Sequence, residues 1–177
     1  MDKQELIDFE KEIADLFERG QIKAPVHLVG NNEDQLIEIF KNIKPEHWVF
    51  SNHRSHYHAL LKGVPRDWLK NEILKGHSIT INSAEHRFFS SAIVGGILPI
   101  AVGVALSGAT VWCFLGDMAA QTGIFHECLE YARHPGCNIT FVVEDNGLSV
   151  ETPTERVWSY KYDRVWPHQG VGHFVIF

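Results

Sequence analysis

The chain has few basic residues. Its 16 Lys and Arg are outnumbered by 22 Asp and Glu, and the net charge is −6. This balance argues against a general nucleic-acid-binding protein, because affinity for a phosphate backbone comes from clustered Lys and Arg. It stays compatible with one small phosphorylated ligand held by a single arginine.

Cysteine is also scarce. Cys113, Cys128 and Cys137 form no CxxC pair and leave an odd thiol, which argues against a disulfide scaffold and favours a reducing cytosol. The first residues have neither the basic start nor the apolar stretch of a signal peptide. We therefore expect a cytoplasmic protein.

One long uncharged stretch, Phe88 to Gly116, invites comparison with a membrane span. Several Gly and Ser residues and Pro99 interrupt it, and Ser107-Gly108 is typical of a turn. We therefore predict a buried helix followed by a buried strand, and no membrane association.

The length of 177 residues predicts a single domain spanning the whole chain. Apolar spacing predicts helices over the first eighteen residues, ending before Gly20, over Asn32–Asn42 and over Asp67–Leu74. We interpret residues 1 to about 45 as a helical extension at the N-terminus.

The second half of the chain has a different pattern. A small, apolar helix is predicted over Gly95–Leu106, a buried strand over Thr110–Leu115, an amphipathic helix over Gly123–Arg133 and a second buried strand over Ile139–Val143. Strand, helix and strand in this order form a parallel pair with a right-handed crossover. The predicted fold class is α/β, a mainly parallel sheet with helices on both faces.

Polar residues follow both of these strands. Gly116-Asp117 comes after the first, and Asp145-Asn146 after the second. Because ligands bind beyond the carboxyl ends of parallel strands, we expect Asp117 and Asn146 to face one crevice, with Gly116 permitting a sharp turn and close approach of a ligand. Their oxygens, with a backbone carbonyl, suit magnesium bound to a diphosphate. Spacing alone also allows two ordinary turns, with Asp117 capping the next helix.

The order of the motifs resembles a known family. Gly116-Asp117, followed by Asn146 29 positions after Asp117, resembles the magnesium and thiamine diphosphate motif of thiamine-diphosphate-dependent enzymes. Gly123–Glu127 and Val142-Val143-Glu144 resemble the alpha subunits of 2-oxo acid dehydrogenases. The resemblance implies that Asp117, Asn146 and the carbonyl of Leu148 hold the metal, and that Gly116 and Met118 contact the cofactor.

Three further stretches are similar to the same family. Ile93–Gly103 resembles its IVG-x-x-x-P-x-x-x-G segment, which implies that Val94 lies against the aminopyrimidine ring. His53-Arg54-Ser55-His56, with Gly63 beyond, resembles Tyr-Arg-x-His…Gly, which implies that His53 and Arg54 bind the diphosphate and that His56 is catalytic. Pro25-Val26-His27-Leu28 resembles the stretch whose histidine faces the reacting carbon, which makes His27 a catalytic candidate.

The chain departs from the family pattern in four places. Met118 replaces a glycine and narrows the space beside the diphosphate, and His53 replaces the tyrosine but still offers a donor. Ser78-Ile79-Thr80 aligns with Ser-Met-His, so one active-site imidazole is missing. After Glu155-Arg156 the family continues with another helix and strand pair, but here only Tyr160–Phe177 remain, with a strand-like Phe174–Phe177 and a stretch, Trp166–Gly170, that matches nothing in the pattern. We therefore expect a fold truncated at its C-terminus.

The family's second thiamine-binding domain does not fit in this length. The resemblance therefore implies a beta-type pyrimidine-binding subunit that supplies the activating glutamate, a heterotetramer, and a small ketose or 2-oxo acid substrate. Transketolase-like transfer and 2-oxo acid dehydrogenase chemistry both stay open, and the short chain and Thr80 favour transfer.

Other interpretations are a non-catalytic thiamine-diphosphate-binding scaffold or regulatory subunit, and a plain nucleotide-binding domain, for which no GxGxxG fingerprint is present. A zinc site at His53, His56 and His58 is disfavoured because no acidic or cysteine partner lies nearby in the sequence.

Overall fold

The structure is a computed structural model that describes residues 1–158 and 174–176. Its strands are β1 (Trp48–Ser51), β2 (Asn82–Ser83), β3 (Phe88–Ser90), β4 (Val111–Gly116), β5 (Ile139–Glu144), β6 (Leu148–Ser149), β7 (Thr152–Pro153) and β8 (Phe174–Ile176). Its helices are α1 (Lys3–Glu18), α2 (Glu33–Phe40), α3 (His56–Leu61), α4 (Arg66–Leu74), α5 (Ile97–Leu106), α6 (Asp117–Ala120), α7 (Gly123–Ala132) and α8 (Thr154–Trp158).

Six strands form the central sheet in the order β2-β3-β1-β4-β5-β8, and β6 pairs with β7 in a small separate ribbon. Within the sheet only the β2–β3 pair is antiparallel among the described strands. The predicted parallel pair is β4 and β5, which run in register from Val111 opposite Ile139 to Gly116 opposite Glu144. The α/β fold class predicted from the sequence is confirmed.

Side chains of the central strands alternate between two apolar cores, one on each face of the sheet. Cys113 and Leu115 of β4 pack with α5 and α7, whereas Phe114 packs on the other face with α1 to α4. β5 divides in the same way, since Phe141 and Val143 join the first core and Val142 joins the second. Both faces of these strands are covered, which explains their continuous apolar sequence.

The N-terminal helix α1 packs into the second core. Asp2 and Glu5 form a reciprocal capping box that fixes its first turn. Its buried residues Leu6, Phe9 and Ile13 are fully enclosed. The helical segment at the N-terminus is therefore continuous with the packing that supports the sheet.

The predicted elements and the observed ones differ mainly at their ends. The helix predicted from Gly95 begins at Ile97, because Gly95 has a φ of +74° and cannot continue a right-handed helix. β1 and β3 were not predicted, since each has only three or four residues and shows no usable periodicity.

The strand predicted at Phe174–Phe177 is observed as β8, which pairs with β5 in parallel. Trp166–Gly170 and the rest of residues 159–173 lie outside the described part of the chain. Within the described residues, no helix has the length and apolar character needed to cross a membrane. Cys113 is a fully buried free thiol, as predicted for a small apolar residue in a strand.

Candidate functional site

The carboxyl ends of β1, β3, β4 and β5 meet at one edge of the sheet. β3 lies on one side of β1, whereas β4 and β5 lie on the other, so the direction in which strands are added reverses beside β1. Such a reversal leaves a crevice in which α/β proteins bind ligands. Here it is a cavity of about 850 Å³, and its wall includes residues from the loops after β1 (His53, Arg54), β3 (Ile93, Val94), β4 (Asp117, Met118) and β5 (Asp145, Asn146).

Asp117 and Asn146 lie on the wall of this one cavity. Asp117 directly follows Gly116, which is paired with Glu144 two residues before Asn146. Asp117 is only 5% exposed, whereas Asn146 is exposed. The structure thus brings the two residues together, as the strand topology predicts, and Leu148 lines the same cavity.

Asp117 and Asn146 each accept a hydrogen bond from a nearby backbone N–H, which holds the side chain in place. Asp117 Oδ1 accepts from the backbone N–H of Met118 at 2.9 Å, and Asn146 Oδ1 accepts from that of Leu148 at 3.0 Å. Carboxylate and amide oxygens each have two lone pairs and belong to the oxygen ligands that hard cations prefer. Gly116, and not Asp117, is the N-cap of α6, so the helix-capping alternative for Asp117 is wrong.

The two glycines at this edge have different physical roles. The chain passes from β4 into α6 at Gly116, but Gly116 has an ordinary extended backbone, with φ −79° and ψ 162°, so this turn needs no conformation that only glycine allows. A Cβ added there would meet no atom within 4 Å, and Gly116 faces the cavity. Gly95, in contrast, has a φ of +74° and a Cβ there would lie 2.7 Å from Cγ2 of Ile124.

This contrast predicts that two alanine variants differ in their free energy of unfolding. We expect Gly95→Ala to lower the free energy of unfolding by about 1–3 kcal/mol, because the left-handed backbone and the contact with Ile124 both oppose a side chain. Gly116→Ala is expected to change it by less than about 1 kcal/mol and to weaken ligand binding instead. Urea unfolding of both variants checks this, and equal destabilisation would contradict it.

The same cavity also has basic residues in its wall. His53 and Arg54 both line the cavity, and Arg54 Nη2 donates to the carbonyl oxygen of Val150 at 3.2 Å, which ties the β6–β7 ribbon to the loop after β1. His27 packs edge-on against His53, with ring centroids 4.6 Å apart.

Burial and nearby cations keep these imidazoles neutral. Burial, followed by His27 and Arg54, lowers the pKa of His53 to about 4, while Glu144 opposes the shift. Burial and then Arg54 also lower the pKa of His27. Both side chains are therefore poor proton acceptors at neutral pH in this structure.

The depressed pKa of His53 predicts a loss of stability in acid. Between its usual pKa and about 4, the unfolded chain binds a proton that the folded chain does not, so the free energy of unfolding falls as the pH falls. We expect a fall of about 1 kcal/mol between about pH 7.5 and pH 5, discounted for partial exposure. The fall should be smaller in His53→Tyr, and an unchanged fall in that variant would contradict the assignment to His53.

His56, predicted to be catalytic, does not reach the cavity. It is fully buried, with Nδ1 2.8 Å from Glu10 Oε1 and Nε2 3.0 Å from Ser78 Oγ. Glu10 Oε2 also accepts from the backbone N–H of Val29, a cavity residue, at 3.1 Å. The prediction that His56 is catalytic is therefore wrong. His56 is a positioning residue, which links α3 to α1 and, through Glu10, to the loop that lines the cavity.

The arrangement of Ser78, His56 and Glu10 has the order of a serine–histidine–carboxylate triad. Ser78 and His56 are both 0% exposed, so no substrate can reach the hydroxyl. The cluster is structural.

The three histidines His53, His56 and His58 do not form a metal site. Nδ1 of His58 forms a hydrogen bond with Ser51 Oγ at 2.7 Å. Among the described residues, no group of three or more His, Cys, Asp or Glu side chains is placed to hold a metal ion. These contacts argue against the zinc interpretation.

Asn32 and Glu144 also line the cavity, although the sequence did not predict either of them as a site residue. Asn32 Nδ2 donates to Glu144 Oε1 at 2.9 Å, and Glu144 Oε2 and Asn32 Oδ1 are buried without a hydrogen-bond partner among the described residues. Glu144 Oε1 also lies 3.4 Å from Nε2 of His58. A charged residue ending an apolar strand was a usable signal for Glu144, whereas nothing local marks Asn32, 112 residues away.

Comparison with known protein families shows which family the chain belongs to. The family model described as "Dehydrogenase E1 component" matches residues 1–165. The chain belongs to the dehydrogenase E1 component family. The resemblance to 2-oxo acid dehydrogenase alpha subunits is thereby confirmed.

Individual E1 relatives agree with this assignment. The chain is 30% identical over 167 residues to the alpha subunit of acetoin:2,6-dichlorophenolindophenol oxidoreductase from Bacillus subtilis (strain 168), covering 85% of this chain and 50% of that protein. It is 30% identical over 166 residues to the pyruvate dehydrogenase E1 component subunit alpha of Porphyra purpurea, covering 81% and 48% respectively. The chain spans about half the length of the curated relatives it matches.

Proposed function

We propose that this chain is the diphosphate- and magnesium-binding alpha-type component of a two-component thiamine-diphosphate-dependent enzyme. The observation that carries the proposal is the placement of Asp117 and Asn146 beyond the ends of neighbouring parallel strands, in one cavity that Arg54 also lines. Membership of the E1 family supports it.

The donor set fits a magnesium ion. Asp117 offers a carboxylate, Asn146 an amide oxygen and Leu148 a backbone carbonyl, and magnesium prefers few protein oxygens together with phosphate oxygens and water. The buried acceptors Glu144 Oε2 and Asn32 Oδ1 lie on the same wall and suit the hydrogens of metal-bound water. Nitrogen and sulfur ligands, which zinc prefers, are not grouped there among the described residues.

The rest of the cavity fits a diphosphate with an apolar ring system. Arg54 is always charged and presents several donors to phosphate oxygens, and His53 adds a further donor. Met118 narrows the space beside Asp117. Val94, which is 65% exposed, offers an apolar surface for the aminopyrimidine ring. When bound, thiamine diphosphate supplies the electron sink for breaking a bond beside a carbonyl, and the chain orients it.

The mouth of the cavity suits a partner subunit. Ile93, Val94, Leu148 and Val150 line the cavity and are each more than two-fifths exposed. We propose that a beta-type pyrimidine-binding subunit covers this apolar rim and supplies the activating glutamate, in a heterotetramer. His27, which packs edge-on against His53, is our candidate for proton transfer near the reacting carbon.

A 2-oxo acid or acetoin-like ketone is the substrate class we favour. The names of the relatives, a pyruvate dehydrogenase and an acetoin oxidoreductase, support it. Thr80, which in the sequence favours ketol transfer, is exposed and does not line the cavity. Having threonine instead of histidine at this position therefore removes no group from the cavity wall. Transketolase-like transfer and a non-catalytic scaffold stay as alternatives.

Reconstitution tests this function. The full chain is co-purified with a beta-type subunit, supplied with thiamine diphosphate and magnesium, and assayed with pyruvate, acetoin and a ketose, using 2,6-dichlorophenolindophenol as electron acceptor. We expect reduction of the dye with a 2-oxo acid or acetoin, lost without either subunit. Turnover of the ketose alone, through an aldehyde acceptor, would support transfer. Cofactor binding without turnover would support the scaffold.

A further inference from the structure

A guanidinium and an imidazole line the cavity, and a second imidazole packs against the first. Arg54 and His53 form part of the wall, and the ring of His27 lies 4.6 Å from that of His53, at an angle of 68°. Three potentially cationic groups therefore lie within one small region. The family pattern has a tyrosine at position 53, so the imidazole pair is a feature of this chain.

Charges around the pair oppose one another. Burial disfavours a proton on His53, as do His27 and Arg54 to a smaller extent, and the nearby carboxylate of Glu144 favours one. For His27, burial and Arg54 both disfavour the proton. The pair is thus kept neutral chiefly by desolvation and by a cation that is itself placed to meet an anion.

An oxyanion in the cavity changes this balance. A negative ligand beside Arg54 offsets the guanidinium charge and adds an attractive charge next to His53, and an opposite charge within about 4–6 Å favours the protonated form of an imidazole. Protonated His53 would then donate a charge-assisted hydrogen bond, which is about twice as strong as a neutral one.

We propose, on the basis of the function proposed above, that His53 and His27 form the proton-accepting half of the anion site, so that binding of the diphosphate is accompanied by uptake of a proton from solvent onto this imidazole pair. One N–H bond forms on an imidazole nitrogen and the buffer loses the proton, while no bond in the ligand changes. The consequence is a site that binds its diphosphate more tightly as the pH falls towards 6.

Calorimetry in two buffers of different ionisation enthalpy measures the proton directly. The full chain, with its beta-type partner if binding requires it, is titrated near pH 6 with thiamine diphosphate already saturated with magnesium, so that the phosphate groups of the ligand do not titrate. We expect between about half a proton and one proton taken up per ligand bound, and up to about tenfold tighter binding per pH unit on the acid side.

Two comparison ligands identify the anion. Thiamine, which lacks the diphosphate, is expected to give no proton uptake. Pyruvate added without cofactor tests the other source of an oxyanion, the carboxylate of a substrate. Uptake with pyruvate and none with the diphosphate would overturn the assignment of the pair to the diphosphate.

His53→Tyr is the matched variant, because a phenol donates a hydrogen bond but does not titrate near pH 6. We expect it to lose most of the proton uptake and to flatten the pH dependence of affinity, and an unchanged uptake would overturn the proposal. A second measurement does not depend on whether this variant folds. NMR of the imidazoles in the wild-type chain should show the pKa of His53 rising from about 4 by at least about two units with ligand, since half a proton at pH 6 requires a pKa of about 6 in the complex.

The possible failures are distinguishable. Tight binding of magnesium thiamine diphosphate without proton uptake or an imidazole shift overturns this inference and leaves the proposed function intact. If the ligand does not bind at all in the presence of the partner, both fail together.

Discussion

Asp117→Asn is expected to weaken magnesium-dependent binding of thiamine diphosphate by about 100-fold or more. The substitution keeps the size of the side chain and an oxygen that can accept from the N–H of Met118, but it removes the negative charge. Because Asp117 is only 5% exposed, no surface carboxylate or solvent can easily replace it. Binding is measured by calorimetry with and without magnesium.

Asp15→Asn is the matched control, since Asp15 is an exposed carboxylate on α1, away from the cavity wall. It makes the same chemical change and is expected to leave binding within about twofold. Thermal unfolding of both variants separates loss of the site from loss of the fold. Near-normal binding by Asp117→Asn would show that the metal lies elsewhere, and equal loss in both variants would remove the specific role of Asp117.

Glu10→Ala is expected to lower the free energy of unfolding by about 3–5 kcal/mol. Glu10 is 6% exposed, and its two carboxylate oxygens accept from the N–H of Val29 and contact Nδ1 of His56. Truncation leaves the buried Nδ1 of His56 and the part-buried N–H of Val29 without that partner, and Val29 belongs to the loop that lines the cavity. Glu10→Gln is expected to lose less, because an amide oxygen can still accept from Val29.

Urea unfolding of these variants, with Glu18→Ala as control, measures the effect. Glu18 is an exposed residue on the same helix, and its replacement is expected to change stability by less than about 0.5 kcal/mol. If Glu10→Ala were as stable as Glu18→Ala, the buried cluster around His56 would not support the fold as described. A loss of ligand binding in a Glu10→Ala protein that is still folded would confirm that the cluster positions the loop.

The part of the site on β4 and β5 could be predicted because each strand is a continuous apolar run that ends abruptly in polar residues. That pattern locates both the buried strands and the edge at which Asp117 and Asn146 emerge. The physical reason is general, since a strand covered on both faces must be apolar along its length and its ligands can lie only beyond its end.

The role of His56 could not be predicted from its position in a motif. Arg54 and His56 are two residues apart, yet Arg54 faces the cavity while His56 begins α3 and turns into the core. Its partners Glu10 and Ser78 are 46 and 22 residues away, and only tertiary packing brings them together. The pairing of Asn32 with Glu144 escaped prediction for the same reason.

The most direct test of the central claim is the position of one divalent ion. Crystals of the full chain with its partner, grown with thiamine diphosphate and manganese in place of magnesium, allow the ion to be located from its anomalous scattering. We expect a single peak within bonding distance of Asp117, Asn146 and the carbonyl oxygen of Leu148, and in contact with the diphosphate. A diphosphate bound in this cavity with its ion held by other residues would contradict it.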